Sequence, residues 1–202
     1  NIQSKPKMLI GLVGLAGAGK DTAAAMLADH WLATGSPSWC LSFAEPIRAM
    51  IREFLLVAGV KDPDRYVDDR ALKETVIPEV GVSFRHLAQT LGTEWGQQCV
   101  GRNIWIRLLE AQMREALGFR ITHFVVTDTR FALEADWLRG QGGVIWRIER
   151  PGVQPVRAHV SELGAEQIRA DRVIVNDGSL DDLRRALGFE LAKLNYETGL
   201  AA

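Results

Sequence analysis

Residues Met8 to Thr22 read MLIGLVGLAGAGKDT. Met8 to Val13 is a short apolar run closed by glycine, the pattern of a parallel strand buried on both faces. Gly14 to Lys20 fits the spacing GxxxxGK, and the Ala-rich stretch from Lys20 to Leu32 reads as a helix ending near Gly35. A strand, a glycine loop and a helix in that order form the setting of a phosphate-binding loop. Glycine lets successive backbone N–H groups turn inward, and the helix N-terminus adds positive potential. Gly14, Gly17, Ala18 and Gly19 would supply that cradle, and Lys20 can reach the β- and γ-phosphates of a nucleotide.

The residue after the lysine is Asp21, and the hydroxyl comes one place later, at Thr22. In P-loop GTPases and ATPases a hydroxyl directly after the lysine binds Mg²⁺. Here Asp21 can hold the metal through water or act on an acceptor as a base, and Thr22 can bind an α-phosphate. The plain alternative for Asp21 is charge complementarity at a helix start, worth about 0.3–1 kcal/mol.

Further along, Ser38 to Phe43 reads as a strand, and Ala44 to Ala58 as a helix with Pro46 in its first turn. Ile47, Met50, Ile51, Phe54, Leu55 and Ala58 share one face of it, with Arg48 and Arg52 off that face. Lys61 to Gly81 lacks a period and suggests loop with a short helix near Tyr66 to Leu72. Ser83 to Gln98 reads as one helix with Phe84, Leu87, Ala88, Leu91 and Trp95 inward. Asn103 caps another, in which Trp105, Leu108, Leu109 and Met113 face a core. Ile121 to Thr127 is a strand with Asp128 at its carboxyl end, followed by a helix from Phe131 to Arg139. Val144 to Glu149 and Arg172 to Val175 complete the strands, a flexible loop is expected over Arg150 to Glu166, and Ser179 with Asp182 caps the last helix. Strands alternating with helices imply one α/β domain: a five-stranded parallel sheet with helices on both faces. The polar residues Asn1 to Lys7 stand outside it.

The chain has 202 residues, 47% hydrophobic and 24% charged, which is ordinary for a globular protein. A formal net charge of −1 argues against polymeric nucleic acid as a partner. No apolar run of about 18 residues suits a membrane span. Cys40 and Cys99 form no CxxC pair, which fits a reduced, cytoplasmic setting with both thiols buried or inert. The four histidines have no metal-ligand spacing, so no protein-bound zinc is expected. No nucleophile elbow supports a serine triad.

An apolar strand ending in Asp128 is where a Mg²⁺-anchoring acid sits in many P-loop proteins. Arg130 beside it can clamp a phosphate, or pair with Glu134 at i+4 on the surface. Arg85 and Gln89 lie four apart on one helix face and suit a phosphate or a base edge. Trp95 and Trp105 can stack a base or fill a core.

Several segments together resemble the phage-type deoxynucleoside monophosphate kinases: GLAGAGKDT, SFAEPIR at Ser42 to Arg48, FRHLAQTLGTEWG at Phe84 to Gly96, VVTDTRFALEA at Val125 to Ala135, and WRIERP at Trp146 to Pro151 followed by HVSE at His159 to Glu162. The resemblance covers nearly the whole chain from Met8. It implies the P-loop kinase fold with a monophosphate-binding region at about 44–118 and a lid at about 150–166. It also implies ATP- and Mg²⁺-dependent phosphorylation of a nucleoside monophosphate to its diphosphate. By position, Lys20 and Thr22 belong to the ATP phosphate site, and Ser42, Phe43, Arg48, Arg85 and Gln89 to the acceptor side. Asp128 and Arg130 fall between the phosphates, with Asp21 and Asp128 organising Mg²⁺ through water. Arg147, Arg150 and His159 to Glu162 belong to the lid. The family's arginine after GTE has no clear match, since Gln97 and Gln98 stand there before Arg102 and Arg107. The partner implied is a small-molecule nucleoside monophosphate, in the cytoplasm of a bacterial host if the source is a phage, and a homodimer is left open. Other readings are a dephospho-coenzyme A or phosphomevalonate kinase type, or a nucleotide-dependent switch.

Overall fold

The apolar run at the start of the chain becomes the central strand of a parallel sheet. The structure, a computed structural model, describes residues 5–69, 71–153 and 160–200, with the backbone alone for 160–163. In chain order the elements begin with β1 (Met8–Val13), α1 (Lys20–Ala33), β2 (Ser38–Leu41), α2 (Glu45–Val57) and α3 (Asp64–Val67). They continue with β3 (Val76–Ile77), β4 (Val82–Ser83), α4 (Phe84–Gln89), a π-helix (Thr90–Val100) and α5 (Ile104–Gly118). The last are β5 (His123–Val126), α6 (Ala132–Gly140), β6 (Val144–Glu149), α7 (Val160–Gln167), β7 (Arg172–Val175) and α8 (Leu180–Thr198). The chain divides into two compact units, residues 1–42 with 111–202, and residues 43–110.

The first unit carries the sheet, in the order β2-β5-β1-β6-β7, with every pairing parallel. All six residues of β1 are buried, which is why it lacks the alternation of a half-exposed strand. Leu183, Leu187, Leu191 and Leu194 of α8 and Leu27 and Trp31 of α1 close over Ile10, Leu12, Trp146 and Ile148 as one apolar cluster. Each such side chain contributes about 1.5–3 kcal/mol by leaving water. Gly11 lets α6 come close, because a Cβ there would stand 2.6 Å from Leu138 Cδ1 and 2.9 Å from Ile145 Cδ1. The α8 start is capped as its sequence suggests, with Ser179 Oγ accepting from Asp182 N and the Asp182 carboxylate accepting from Ser179 N. Lys7, set apart from the fold by its sequence, donates its backbone N–H to Thr122 O at 2.8 Å, while residues 1–4 lie outside the described ones.

The second unit has its own apolar cluster, formed by Ile51, Leu55, Val60, Tyr66, Val67, Ile77 and Phe84. It departs from the sequence reading in several places. The unpatterned stretch before Ser83 contains a two-stranded hairpin, β3 with β4, turned at Gly81 with φ +72°. The single helix expected over Ser83 to Gln98 is α-helical only to Gln89 and then winds as a π-helix. Trp105 explains the change: its indole N–H donates to Gly92 O at 2.8 Å, and its ring lies against Gly96. A carbonyl drawn to an indole and a ring set into the groove both favour the wider winding, seen in the i+5 bond from Gly101 N to Gly96 O. The extra residue per turn also rotates Trp95 outward, to 46% exposure, against the expectation that it faces the core. Of the expected apolar face of α2, Ile51 and Leu55 are buried while Met50 and Phe54 are exposed.

The first unit departs from it as well. Part of the loop expected over Arg150 to Glu166 is α7, while residues 154–159, including His159, lie outside the described ones. Cys40 and Cys99, expected buried or inert, are free and exposed. Among the described residues no helix is long and apolar enough to cross a membrane.

Gly96→Ala tests the π-helix account. The added Cβ would stand 2.8 Å from Trp105 Cε2 and 2.9 Å from Leu91 O, so the variant should lose about 1–3 kcal/mol in denaturant titration. Gly118→Ala, with open space around its Cβ, should lose nothing. Equal midpoints for the two variants would contradict the account.

Candidate active site

The phosphate-binding loop takes its shape from glycines at positive φ: +146° at Gly14, +87° at Gly17 and +100° at Gly19. The backbone there is also too close to its neighbours for a side chain. A Cβ on Gly14 would run into Ile148 O, and one on Gly19 would stand 2.6 Å from Asn176 Nδ2. Asn176 follows β7, donates its side-chain N–H to Ala18 O at 2.9 Å, and donates its backbone N–H to Glu149 O at 2.7 Å. Ala18 N in turn donates to Leu15 O at 3.1 Å. The loop is thereby tied to the carboxyl ends of β6 and β7. The Lys20 ammonium bends over it and donates to Gly14 O at 2.8 Å and Leu15 O at 2.9 Å. Asp21 and Thr22 are exposed on the first turn of α1.

A cleft of about 510 Å³ opens beside the loop, lined by Gly14, Leu15, Ala18, Arg147, Arg150 and Val175 among others. The two arginines differ. Arg147 Nη2 donates to Ile168 O at 2.6 Å and Ala165 O at 3.1 Å, so this guanidinium satisfies the carboxyl end of α7. Arg150 is exposed, and its side chain makes no hydrogen bond or ion pair among the described residues.

Asp128 ends β5 and is buried, at 6% exposure. Ser42, which follows β2, donates its hydroxyl to Asp128 Oδ2 at 2.8 Å. The turn beyond it is pinned by Thr129 N, donating to Leu12 O at 3.2 Å. Arg130 is exposed, with no hydrogen bond or ion pair from its guanidinium among the described residues. Glu134, the alternative partner at i+4, instead faces inward, where Oε2 accepts from Arg130 N at 2.8 Å and from Phe131 N at 3.1 Å. Burial pushes the Glu134 carboxyl up to about 8, with the charge of Asp128 adding to the rise, and the two amides and the Arg130 charge opposing it.

In the second unit Arg48 pairs loosely with Glu45 at 3.6 Å. Arg52 is committed to Glu45, Asp64 and Asp68. Arg85 is paired with Glu74, Phe43 is buried, and Gln89 is half-buried with no side-chain hydrogen bond among the described residues. Trp105 is buried, while Arg102 and Arg107 are exposed. Sequence reasoning passed over Asn176 and the inward turn of Glu134. An Asn directly after the last strand was the available signal for the first, and the Glu at the third position of α6 for the second.

No group of three or more His, Cys, Asp or Glu side chains among the described residues is placed to hold a metal. One or two carboxylates completed by nucleotide phosphates is the donor set that Mg²⁺ uses in phosphoryl-transfer enzymes, and Asp21 and Asp128 fit that role. The glycine cradle and Lys20 likewise fit the phosphates of ATP.

A glycine loop between β1 and α1, a buried acid at the end of the adjacent strand and a parallel sheet define a P-loop phosphate-binding protein. The chain belongs to the deoxynucleotide monophosphate kinase family, whose model matches residues 58–187. It is 34% identical over 101 residues to the deoxynucleotide monophosphate kinase of Escherichia phage RB69, covering 50% of this chain and 41% of that protein. With the deoxynucleotide monophosphate kinase of Enterobacteria phage T4 it shares 33% identity over 101 residues, covering 50% and 42%. A protein of Acanthamoeba polyphaga mimivirus is 28% identical over 190 residues, covering 87% of this chain and 91% of that one. The matched stretch thus spans less than half the length of either phage protein. Among solved structures the chain is similar to the Mycobacterium tuberculosis APS kinase CysC, at 14% identity and a TM-score of 0.48, covering 94% of this chain and 99% of that one.

Two outcomes follow from this geometry. Asn176→Ala removes the tie to Ala18 O, and should raise the dissociation constant for ATP about 5- to 10-fold, the worth of one hydrogen bond, in calorimetric titration. An unchanged constant would contradict the clamp. The second concerns pH. Glu134 stays protonated in the fold up to about 8, against 4.5 as its ordinary value, so its contribution to stability is whole below 4.5 and is lost as pH rises to about 8. Glu134→Gln removes that dependence. From about pH 5 to about pH 8, wild type should lose on the order of a few kcal/mol relative to the Gln variant. A constant difference in melting temperature over that range would contradict the burial account.

Proposed function

We propose that this protein transfers the γ-phosphoryl group of ATP to a deoxynucleoside monophosphate, giving the diphosphate. The observation that carries the reading is the glycine loop with the Lys20 ammonium seated on the carbonyl oxygens of Gly14 and Leu15. That is a cation held where anionic phosphates would replace the carbonyls as its partners. The names of the phage relatives support a deoxynucleotide acceptor. The net charge of −1 fits a small nucleotide better than a nucleic-acid polymer.

Phosphoryl transfer requires positioning and neutralisation of charge more than covalent chemistry. Bound with ATP, Mg²⁺ supplies charge neutralisation at the β- and γ-phosphates, and Asp21 and Asp128 are the residues that would hold it. The amides of the Gly14 to Thr22 loop bind the phosphates, and Lys20 pairs with their outer oxygens. Ser42 fixes the rotamer of Asp128. Arg130 and Arg150 have guanidinium groups without side-chain partners among the described residues, which suits them to the transferring phosphate. Arg147, tied to the end of α7, shapes the cleft instead. Of the second unit's cations, Arg48 is better suited than Arg52 to the acceptor's phosphate, because Arg52 already serves three carboxylates. Arg85 would have to leave Glu74 to take part beside Gln89.

The test is ADP release from ATP with a panel of deoxynucleoside monophosphates, ribonucleoside monophosphates, dephospho-coenzyme A and phosphomevalonate. At least one deoxynucleoside monophosphate should stimulate release, and Lys20→Ala should lower kcat/KM by at least about 100-fold. Stimulation by none of the monophosphate nucleotides would overturn the reading, as would a Lys20→Ala variant of unchanged efficiency.

A further inference from the structure

Glu134 stands in the first turn of α6, where an acid is ordinarily solvated and accepts from one cap amide or complements the helix dipole. This one does neither in the usual way. Its residue is 7% exposed, and a single oxygen accepts two successive amides, those of Arg130 and Phe131. Phe131 is the N-cap and cannot return a side-chain bond, so only half of a capping box exists. The Arg130 amide lies one residue before that cap, outside the helix, on the turn that carries Asp128 and Arg130.

The other anchors of that turn lie before Arg130, where Ser42 donates to Asp128 Oδ2 at 2.8 Å. Thr129 N reaches Leu12 O, while the buried Thr129 hydroxyl has no hydrogen-bond partner among the described residues. The Arg130 carbonyl faces the backbone of Gly164 on α7, where a Cβ would stand 2.9 Å from it. Between Thr129 and the first helical residue, the amides are therefore held from one point, the Glu134 carboxyl. Two successive amides held on one oxygen pass any shift of that oxygen to Arg130 and into the turn behind it. In a phosphoryl-transfer site, misplacement by about 1 Å can cost about 100-fold in rate.

From this we infer that Glu134 is a positioning residue for phosphoryl transfer, which by holding the Arg130 and Phe131 amides fixes the turn that presents Asp128 and Arg130 to the phosphates. The inference rests on the kinase reading above. What the two amides need is an acceptor oxygen at that place. Glu134→Gln keeps it, Glu134→Asp draws it back by one methylene, and Glu134→Ala removes it.

The experiment compares these three variants with wild type in steady-state phosphotransfer, alongside amide hydrogen exchange at Arg130 and Phe131. Glu134→Gln should keep kcat within about 3-fold, whereas Glu134→Ala and Glu134→Asp should lose about 30- to 100-fold in kcat with KM for ATP changed less than about 3-fold. Protection of the two amides should fall in Ala and Asp and persist in Gln. A folded Glu134→Ala of wild-type kcat overturns the inference, and so does a Gln variant as slow as Asp. If the Ala variant does not fold, the Gln and Asp variants decide: Gln active with Asp impaired supports the inference, and the reverse overturns it. If wild type phosphorylates no acceptor, the kinase reading falls and with it the catalytic role, while the exchange data still report separately on the hold over the turn.

Discussion

At Gly14 and Gly19 the backbone comes so close to Ile148 O and to Asn176 that no side chain fits, and it does so at φ values that favour glycine. That close approach sets the loop on the carboxyl edge of β6 and β7. It brings the loop's carbonyls within reach of Lys20 and leaves the 510 Å³ cleft open beside them. The buried strand β1 exists in this geometry to deliver the loop, and α1 to lend it a helix N-terminus. A change at either glycine would move several parts of the site together, since the loop is tied to both strands through Asn176.

Charge is distributed in the molecule by a simple division. Some cations are engaged: Arg52 by three carboxylates, Arg147 by the end of α7, Arg172 in ion pairs with Glu190 and Glu197. Others, Arg130 and Arg150 in the first unit, extend into solvent without side-chain partners among the described residues. Exposed ion pairs contribute little to stability, so the engaged arginines matter chiefly by fixing where elements end. The unengaged ones keep their donors for an anion. The acids divide similarly, with Asp128 and Glu134 buried around one turn and Asp21 exposed on α1.

Much of the fold could be read in the sequence because its signals are local. A parallel strand such as β1 or β5 is buried on both faces and reads as an apolar run. The Ser179 and Asp182 pair announces the start of α8, and the glycine spacing announces the loop. What escaped depends on partners distant in sequence. The π-helix arises from Trp105 set against Gly92 and Gly96, and nothing between Thr90 and Val100 reveals it. The helix α7 contains Gly164 and follows a Pro- and Gly-rich stretch, so its propensity is poor, and Arg147 from β6 holds its end. Two-residue strands such as β3 and β4 have no period to detect. In the site, the positions of Lys20 and Asp128 followed from the strand pattern. Asn176 and Glu134 did not, because an Asn after a strand and a Glu on a first turn are commonplace until their side chains are seen to turn inward.

In the proposed reaction the phosphate held on the Gly14 to Thr22 loop moves to a nucleoside monophosphate. ATP labelled in its γ-phosphate, incubated with the protein, Mg²⁺ and each deoxynucleoside monophosphate, follows that phosphate directly. Label should appear in a deoxynucleoside diphosphate for at least one acceptor. Label recovered only as inorganic phosphate, or remaining in ATP with every acceptor, would contradict it.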